Sequence, residues 1–176
     1  MAASVLEVNR APVLTLWAAV VAERQGYEWD TALTLGKVMA GLNAQAKGRT
    51  LGIYTPKEAS AEDKARRPKD QLWIMVCGRP VPALKTPQGI RALVKEATVA
   101  PESVKRYLET AFGESLADVR SAMEELAASV APTAIEQRAF GLYEQFRPQI
   151  ASGTRGWGQK GKLDLGKIRS LAAPGR

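Results

Sequence analysis

The sequence predicts a mainly α-helical fold, a helical hairpin plus a three-helix bundle, with one small β-hairpin between them. Three observations predict it. Apolar residues recur at helical spacing over two long regions. Prolines and glycines stand where helices begin and end. The stretch with clear strand character is short and carries prolines. At 176 residues the chain is long enough for one domain with a proper core.

Residues 1–54 read as the helical hairpin. Pro12 suits a first helical turn, where its missing N–H costs nothing. Val13, Leu16, Trp17, Val20 and Val21 then make one apolar stripe, and Gly26 ends the helix. Asp30 is a good N-cap for a second helix carrying Ala32, Leu35, Val38, Met39 and Leu42. Gly36 and Gly41 each weaken that helix by about 1 kcal/mol, which close packing against the first helix would offset.

Residues 55–70 read as a basic linker with a short helix: Thr55-Pro56-Lys57-Glu58 has the capping-box arrangement and Pro68 stops it. Residues 71–85 read as the β-hairpin, Leu72 to Cys77 and Val81 to Leu84 around Gly78-Arg79-Pro80. Pro80 and Pro82 make its second strand an edge strand.

Residues 100–148 read as the three-helix bundle. Pro101 opens a helix with Val104, Tyr107, Leu108 and Phe112, closed by Gly113. Ser115 and Asp118 cap the next, which carries Leu116, Val119, Met123 and Leu126. Pro132 opens the third with Ile135, Ala139, Leu142, Tyr143 and Phe146, and Pro148 limits it. The Phe and Tyr residues here belong to the core rather than to a stacking platform. Residues 151–176 form a basic, glycine-rich tail with a short closing helix through Leu163, Leu165, Ile168 and Leu171.

The chain has no histidine, which removes Ser-His-Asp and Cys-His mechanisms and every zinc site using imidazole. Cys77 is the one cysteine, so thiolate metal clusters go too, and no disulfide can close within the chain. It lies in an apolar run and reads as a buried structural thiol. No cofactor or metal is expected.

Gly156-Trp157-Gly158-Gln159-Lys160-Gly161 matches G-x-G-x-x-G by letter, but a helix rather than a strand precedes it and the acidic residue due about 20 positions later is lacking. As a phosphate loop it fails at Leu163, where Ser or Thr would hold magnesium.

Charge is the positive signal. The net charge is +7, favouring a polyanionic partner. Lys47 to Lys69 holds +4 and Ala151 to Arg176 holds +5, leaving −2 for the remainder. The candidate binding residues are Lys47, Arg49, Arg66, Arg67, Arg155, Trp157, Lys160 and Lys162. The cations would neutralise phosphates, the glycines would let backbone N–H groups approach an anion, and Trp157 would stack on an exposed base. The plainer readings are solvated segments, a helix-capping role for Lys47, and Trp157 as a pin docking the tail.

The first two helices have a helix-turn-helix-like connection, but the second carries only Lys37 as a cation, which argues against a recognition helix.

The stretches Asn9 to Arg24 and Leu142 to Pro148, with Gly156 to Gly161, resemble an uncharacterised family of bacterial cytosolic proteins. That resemblance implies a bacterial cytosolic origin and no activity.

The expected function is nucleic-acid binding, DNA rather than RNA, mainly through phosphate contacts. The alternatives are a protein-interaction or scaffold module with an acidic partner, and a histidine-free enzyme on a phosphorylated or acidic small molecule. A cytoplasmic location is expected: Glu7 and Arg10 break up any export signal, and Pro12 to Ala22 is about half a membrane span.

Overall fold

The computed structural model describes residues 5–50, 71–94, 97–148 and 160–172, with the side chains of 44–50 and of Lys160 outside that description. The architecture is α+β, with two antiparallel sheets, which corrects the expectation of a mainly helical bundle with one small hairpin. In chain order the elements are β1 Val5–Asn9, α1 Arg10–Arg24, α2 Trp29–Thr50, β2 Leu72–Val76, β3 Arg79–Thr86, β4 Gly89–Val94, β5 Ala97–Thr98, α3 Pro101–Phe112, α4 Leu116–Ala128, α5 Pro132–Phe146, β6 Lys160–Asp164 and α6 Leu165–Ala172.

Helix α1 is the axis of the molecule. The expected one-sided stripe is instead burial on every side from Pro12 to Ala22, as befits a helix that is apolar all round. It packs on α2, α3, α4 and α5 and touches β1 and β2. The α1–α2 contact is closest at Gly36, where a Cβ would stand 2.5 Å from the Thr15 carbonyl oxygen. Trp17 is fully buried, donates its indole N–H to the Ala139 carbonyl at 2.9 Å, and meets Phe146 edge-on. Arg24 reaches the carbonyls of Ala128 and Val130 at the end of α4, where a cation also meets the negative end of the helix dipole.

The capping readings are partly corrected. Pro101 and Pro132 do open α3 and α5, and Gly113 closes α3 with φ 56°. Ser115 makes no side-chain cap, and Asp30 lies inside the first turn of α2, paired with Lys105 at 3.1 Å. The closing helix α6 is capped by Asp164, which accepts from the Gly166 N–H at 2.9 Å.

The larger sheet has strand order β2-β3-β4-β5. Its first turn is Cys77-Gly78, one residue earlier than expected, and both have positive φ, as a two-residue type I′ turn requires. Cys77 is buried, and burial pushes its thiol well above the ordinary range. Strand β3 is interior rather than an edge, because β4 pairs beyond it, which corrects the placement of Pro80 and Pro82. The prolines are tolerated because β3 divides its partners: Arg79–Ala83 pairs with β2, and Ala83–Thr86 with β4. Both prolines fall in the half with one registered neighbour.

The smaller sheet joins β1 to β6, with Val8 opposite Gly161 and Glu7 opposite Lys162. The basic linker 55–70 and its short helix lie outside the described residues.

Candidate nucleic-acid interface

The tail lysines sit on the β1–β6 ribbon. Along β6 the buried residues are Gly161 and Leu163, so Lys162 and Asp164 stand out into solvent by strand alternation. Lys162 faces Glu7 across the ribbon, a pair of opposite charges that partly offset each other. Lys160 begins the same strand opposite Asn9. Gly161 and Lys162 therefore belong to a strand, which neither a dinucleotide turn nor a phosphate loop would allow. Lys47 and Arg49 occupy the last turn of α2, with side chains outside the described set. Arg66, Arg67, Arg155 and Trp157 lie outside the described residues.

The described side chains carry nearly balanced charge, 14 Lys and Arg against 13 Asp and Glu. Most of those cations are engaged. Lys37 lies 3.8 Å over the Tyr107 ring, and its ammonium is lowered from its usual value by desolvation. Residues 31–40 of α2, packed on α1, α3 and the sheet, are buried apart from half-buried Lys37, so that stretch offers no open face to a DNA groove.

A second surface was not visible in the sequence reading. On β2 burial alternates, with Ile74 and Val76 inward and Trp73 and Met75 outward. The inner face joins the core under α1 and α2. On the outer face Trp73 is 55% exposed and Met75 45% exposed, opposite Pro82 and Pro80. The outward residues of β4, Arg91 and Leu93, are buried, so the open part of this face is β2 with the two prolines.

Strands β2–β4 carry Arg79, Lys85 and Arg91 and no carboxylate. Lys85 is exposed, and Arg79 donates to Asn43 Oδ1 at 3.2 Å. Arg91 is held by neutral acceptors, the carbonyls of Ile90 at 2.9 Å and Gln88 at 3.4 Å. Two carboxylates stand at the ends of this sheet. Glu136 accepts from the Gly78 N–H at 3.0 Å, and Glu28 lies beside Gly89.

The backbone also points outward here. Ala92 directs its N–H to Thr34 Oγ1 and its carbonyl to Val99, away from β3. Antiparallel alternation then turns Arg91 and Leu84 toward each other, Ala83 and Leu72 toward each other, and the peptide groups of Trp73 and Met75 to the free edge of β2. The Met75 carbonyl confirms this by accepting from Gln25 Nε2 at 3.1 Å.

A cleft of about 700 Å³ opens elsewhere, between the starts of α2 and α4 and the end of α3. Its cations are tied up. Lys105 pairs with Asp30, while Arg120 lies 3.7 Å over Trp29 and within 3.8 Å and 3.6 Å of Glu23 and Glu124. Burial pushes the Glu23 carboxyl up, Arg120 lowers it, and Glu124 raises it again. Glu109 and Glu114 stay exposed on the rim. Among the described residues no group of three or more Cys, Asp or Glu side chains is placed to hold a metal, and no helix is long and apolar enough to cross a membrane.

The fold thus defines an α+β protein built on a buried central helix, with an apolar sheet face left open and a ribbon on which carboxylates and lysines balance. Comparison with protein-family models, with curated proteins and with solved structures finds no match to this chain.

Proposed function

We propose that the protein binds nucleic acid, DNA in preference to RNA, mainly through phosphate contacts. The observation that carries this reading is the location of the charge. The described side chains are nearly balanced, so almost all of the +7 belongs to the segments that hold Lys47, Arg49, Arg66, Arg67, Arg155 and Lys160. Such a distribution suits a polyanion contacted by basic segments around a neutral body. Lys162, exposed on the ribbon, adds one further cation, tempered by Glu7.

The test is a salt titration of binding to duplex and single-stranded oligonucleotides. Affinity should fall steeply with salt, and replacing Lys160 and Lys162 by Ala should flatten the slope by up to about two phosphate equivalents. Absence of binding at low salt defeats the proposal.

One observation favours a second reading, a protein-interaction module. Trp73 and Met75 form an exposed apolar pair of the residue types that anchor protein interfaces. A pull-down that survives nuclease treatment and fails for Trp73→Leu would support it.

A further inference from the structure

We propose that the cleft between the starts of α2 and α4 and the end of α3 binds a small organic ammonium compound, a primary amine carried on an apolar body. This site goes beyond the nucleic-acid reading and does not depend on it.

The first ground is shape. A cleft of about 700 Å³ has the size of a small-molecule site, for which roughly 300–1,000 Å³ is usual. Its walls are largely apolar. Leu16, Leu33 and Leu108 reach it from the core, and Leu116 and Ala117 line its α4 side. Trp29 lines it too, with one ring face already covered by Arg120, so that face is closed to a ligand cation.

The second ground is charge. Five carboxylates stand in the cleft or against its cations, Glu23, Asp30, Glu109, Glu114 and Glu124, and the cations are two, Lys105 and Arg120. Lys105 is matched by Asp30 at 3.1 Å. Arg120 serves both Glu23 and Glu124. Burial raises the Glu23 carboxyl, and Glu124 raises it further against the pull of Arg120, so one guanidinium does not cancel the two. Glu109 and Glu114 enter no ion pair among the described residues and stay exposed on the rim, either side of the turn at Gly113. The chain carries +7, yet this cleft is locally negative.

The third ground is what the two features select together. A neutral apolar ligand gains the walls but leaves the rim carboxylates idle, and a carboxylate ligand is repelled by them. An amine uses both. Its apolar body displaces water from the leucines, while its ammonium stays at the rim beside Glu109 and Glu114, where water still reaches it and little desolvation is incurred.

The experiment titrates the full chain with phenethylamine, phenethyl alcohol and phenylacetate, and follows amide chemical shifts by two-dimensional NMR. The amides of Gly113, Leu116 and Ala117 should shift and saturate, with the amine binding more tightly than the alcohol and the alcohol more tightly than the acid. Replacing Glu109 and Glu114 together by Gln should weaken the amine by between about twofold and about thirtyfold, the range for losing two exposed charge contacts, and leave the alcohol unchanged. Ala117→Phe places a ring in the cleft from an exposed position, so it should abolish the amine's shifts at Gly113 and Leu116. Circular dichroism checks that each variant is folded.

Equal affinity for the three compounds overturns the proposal, as does an amine affinity that ignores either variant. An absence of saturating shifts at about 10 mM amine also overturns it. Preference for phenylacetate overturns it as well, and gives the cleft to an acidic ligand held by Lys105 and Arg120. None of these results bears on the oligonucleotide titration, so the two readings fail separately.

Discussion

Gly36 and Gly41 lie on the same helix, five residues apart, and should respond to alanine with opposite signs. At Gly36 a methyl group meets backbone of α1, at Thr15 and Ala19, which no rotamer change can relieve. Gly36→Ala should therefore cost about 1–3 kcal/mol despite alanine's better helix propensity. At Gly41 nothing lies within 4 Å, so Gly41→Ala should gain up to about 1 kcal/mol. Urea unfolding of the two variants checks the pair. Tyr143 sets a pH limit. Burial pushes its phenol up to about 12, with Arg10 and Arg147 pulling it back. A folded-state value above the unfolded value of about 10 means the protonated phenol is favoured by folding. That contribution is present below about pH 10 and is lost as pH rises toward 12, a change of about 3 kcal/mol. Stability measured at about pH 9 and about pH 11.5 should show this loss in wild type and a smaller one in Tyr143→Phe. At this scale the sequence was informative where local chemistry decides. The need for close packing at Gly36 and the burial of Cys77 were both readable. Trp73 was not, because Trp-Ile-Met-Val is apolar without interruption and the alternation of its burial exists only once a sheet has an inside.

Among the elements, β4 shows how the sheet is finished. The short β5 pairs only with Leu93 and Val94, so the edge of β4 is open at Ile90 and Ala92. Helix α2 closes it with hydroxyls. Thr31 Oγ1 donates to the Ile90 carbonyl at 2.7 Å, and the Ala92 N–H donates to Thr34 Oγ1 at 3.0 Å. Two threonines spaced by three residues on a helix thus satisfy the groups a neighbouring strand would otherwise bind. Thr34→Val keeps the shape and removes the acceptor, leaving the Ala92 N–H buried and unpaired. It should cost about 1–3 kcal/mol, and Ala92 should lose its hydrogen-exchange protection. The helices were largely legible because prolines and glycines mark their ends. The sheets were not. Gly89-Ile-Arg-Ala-Leu-Val places a buried arginine among its apolar residues, so it lacks a clean strand period, and its Arg91 is satisfied by the Ile90 carbonyl together with groups brought from α2 and the preceding turn. Strand β6 has an alternating pattern, but its lysines and glycine read equally well as a solvated tail.

At the scale of the whole molecule, stability and binding should respond to salt differently. The described side chains nearly cancel in charge, and the ion pairs among them are exposed or half-exposed, so each contributes less than about 1 kcal/mol. The urea midpoint should therefore move little between low and moderate salt, while oligonucleotide affinity falls by orders of magnitude. Parallel salt dependence of the two would mean that the basic segments are part of the fold's own electrostatics. The sequence revealed this division of charge, since it follows from counting. It did not reveal which surface of the body lies open, because that depends on which face of a four-stranded sheet the helices cover.

The pairing of β1 with β6 also constrains how the protein is made. Its partners are more than 150 residues apart, so strand Val5–Asn9 leaves the ribosome well before the residues that pair with it. Until then the strand keeps an unpaired edge, even after α2 to α5 have covered the apolar helix that follows it. A nascent chain arrested anywhere before Lys160 would keep that hazard, and synthesis of β6 is the event that removes it.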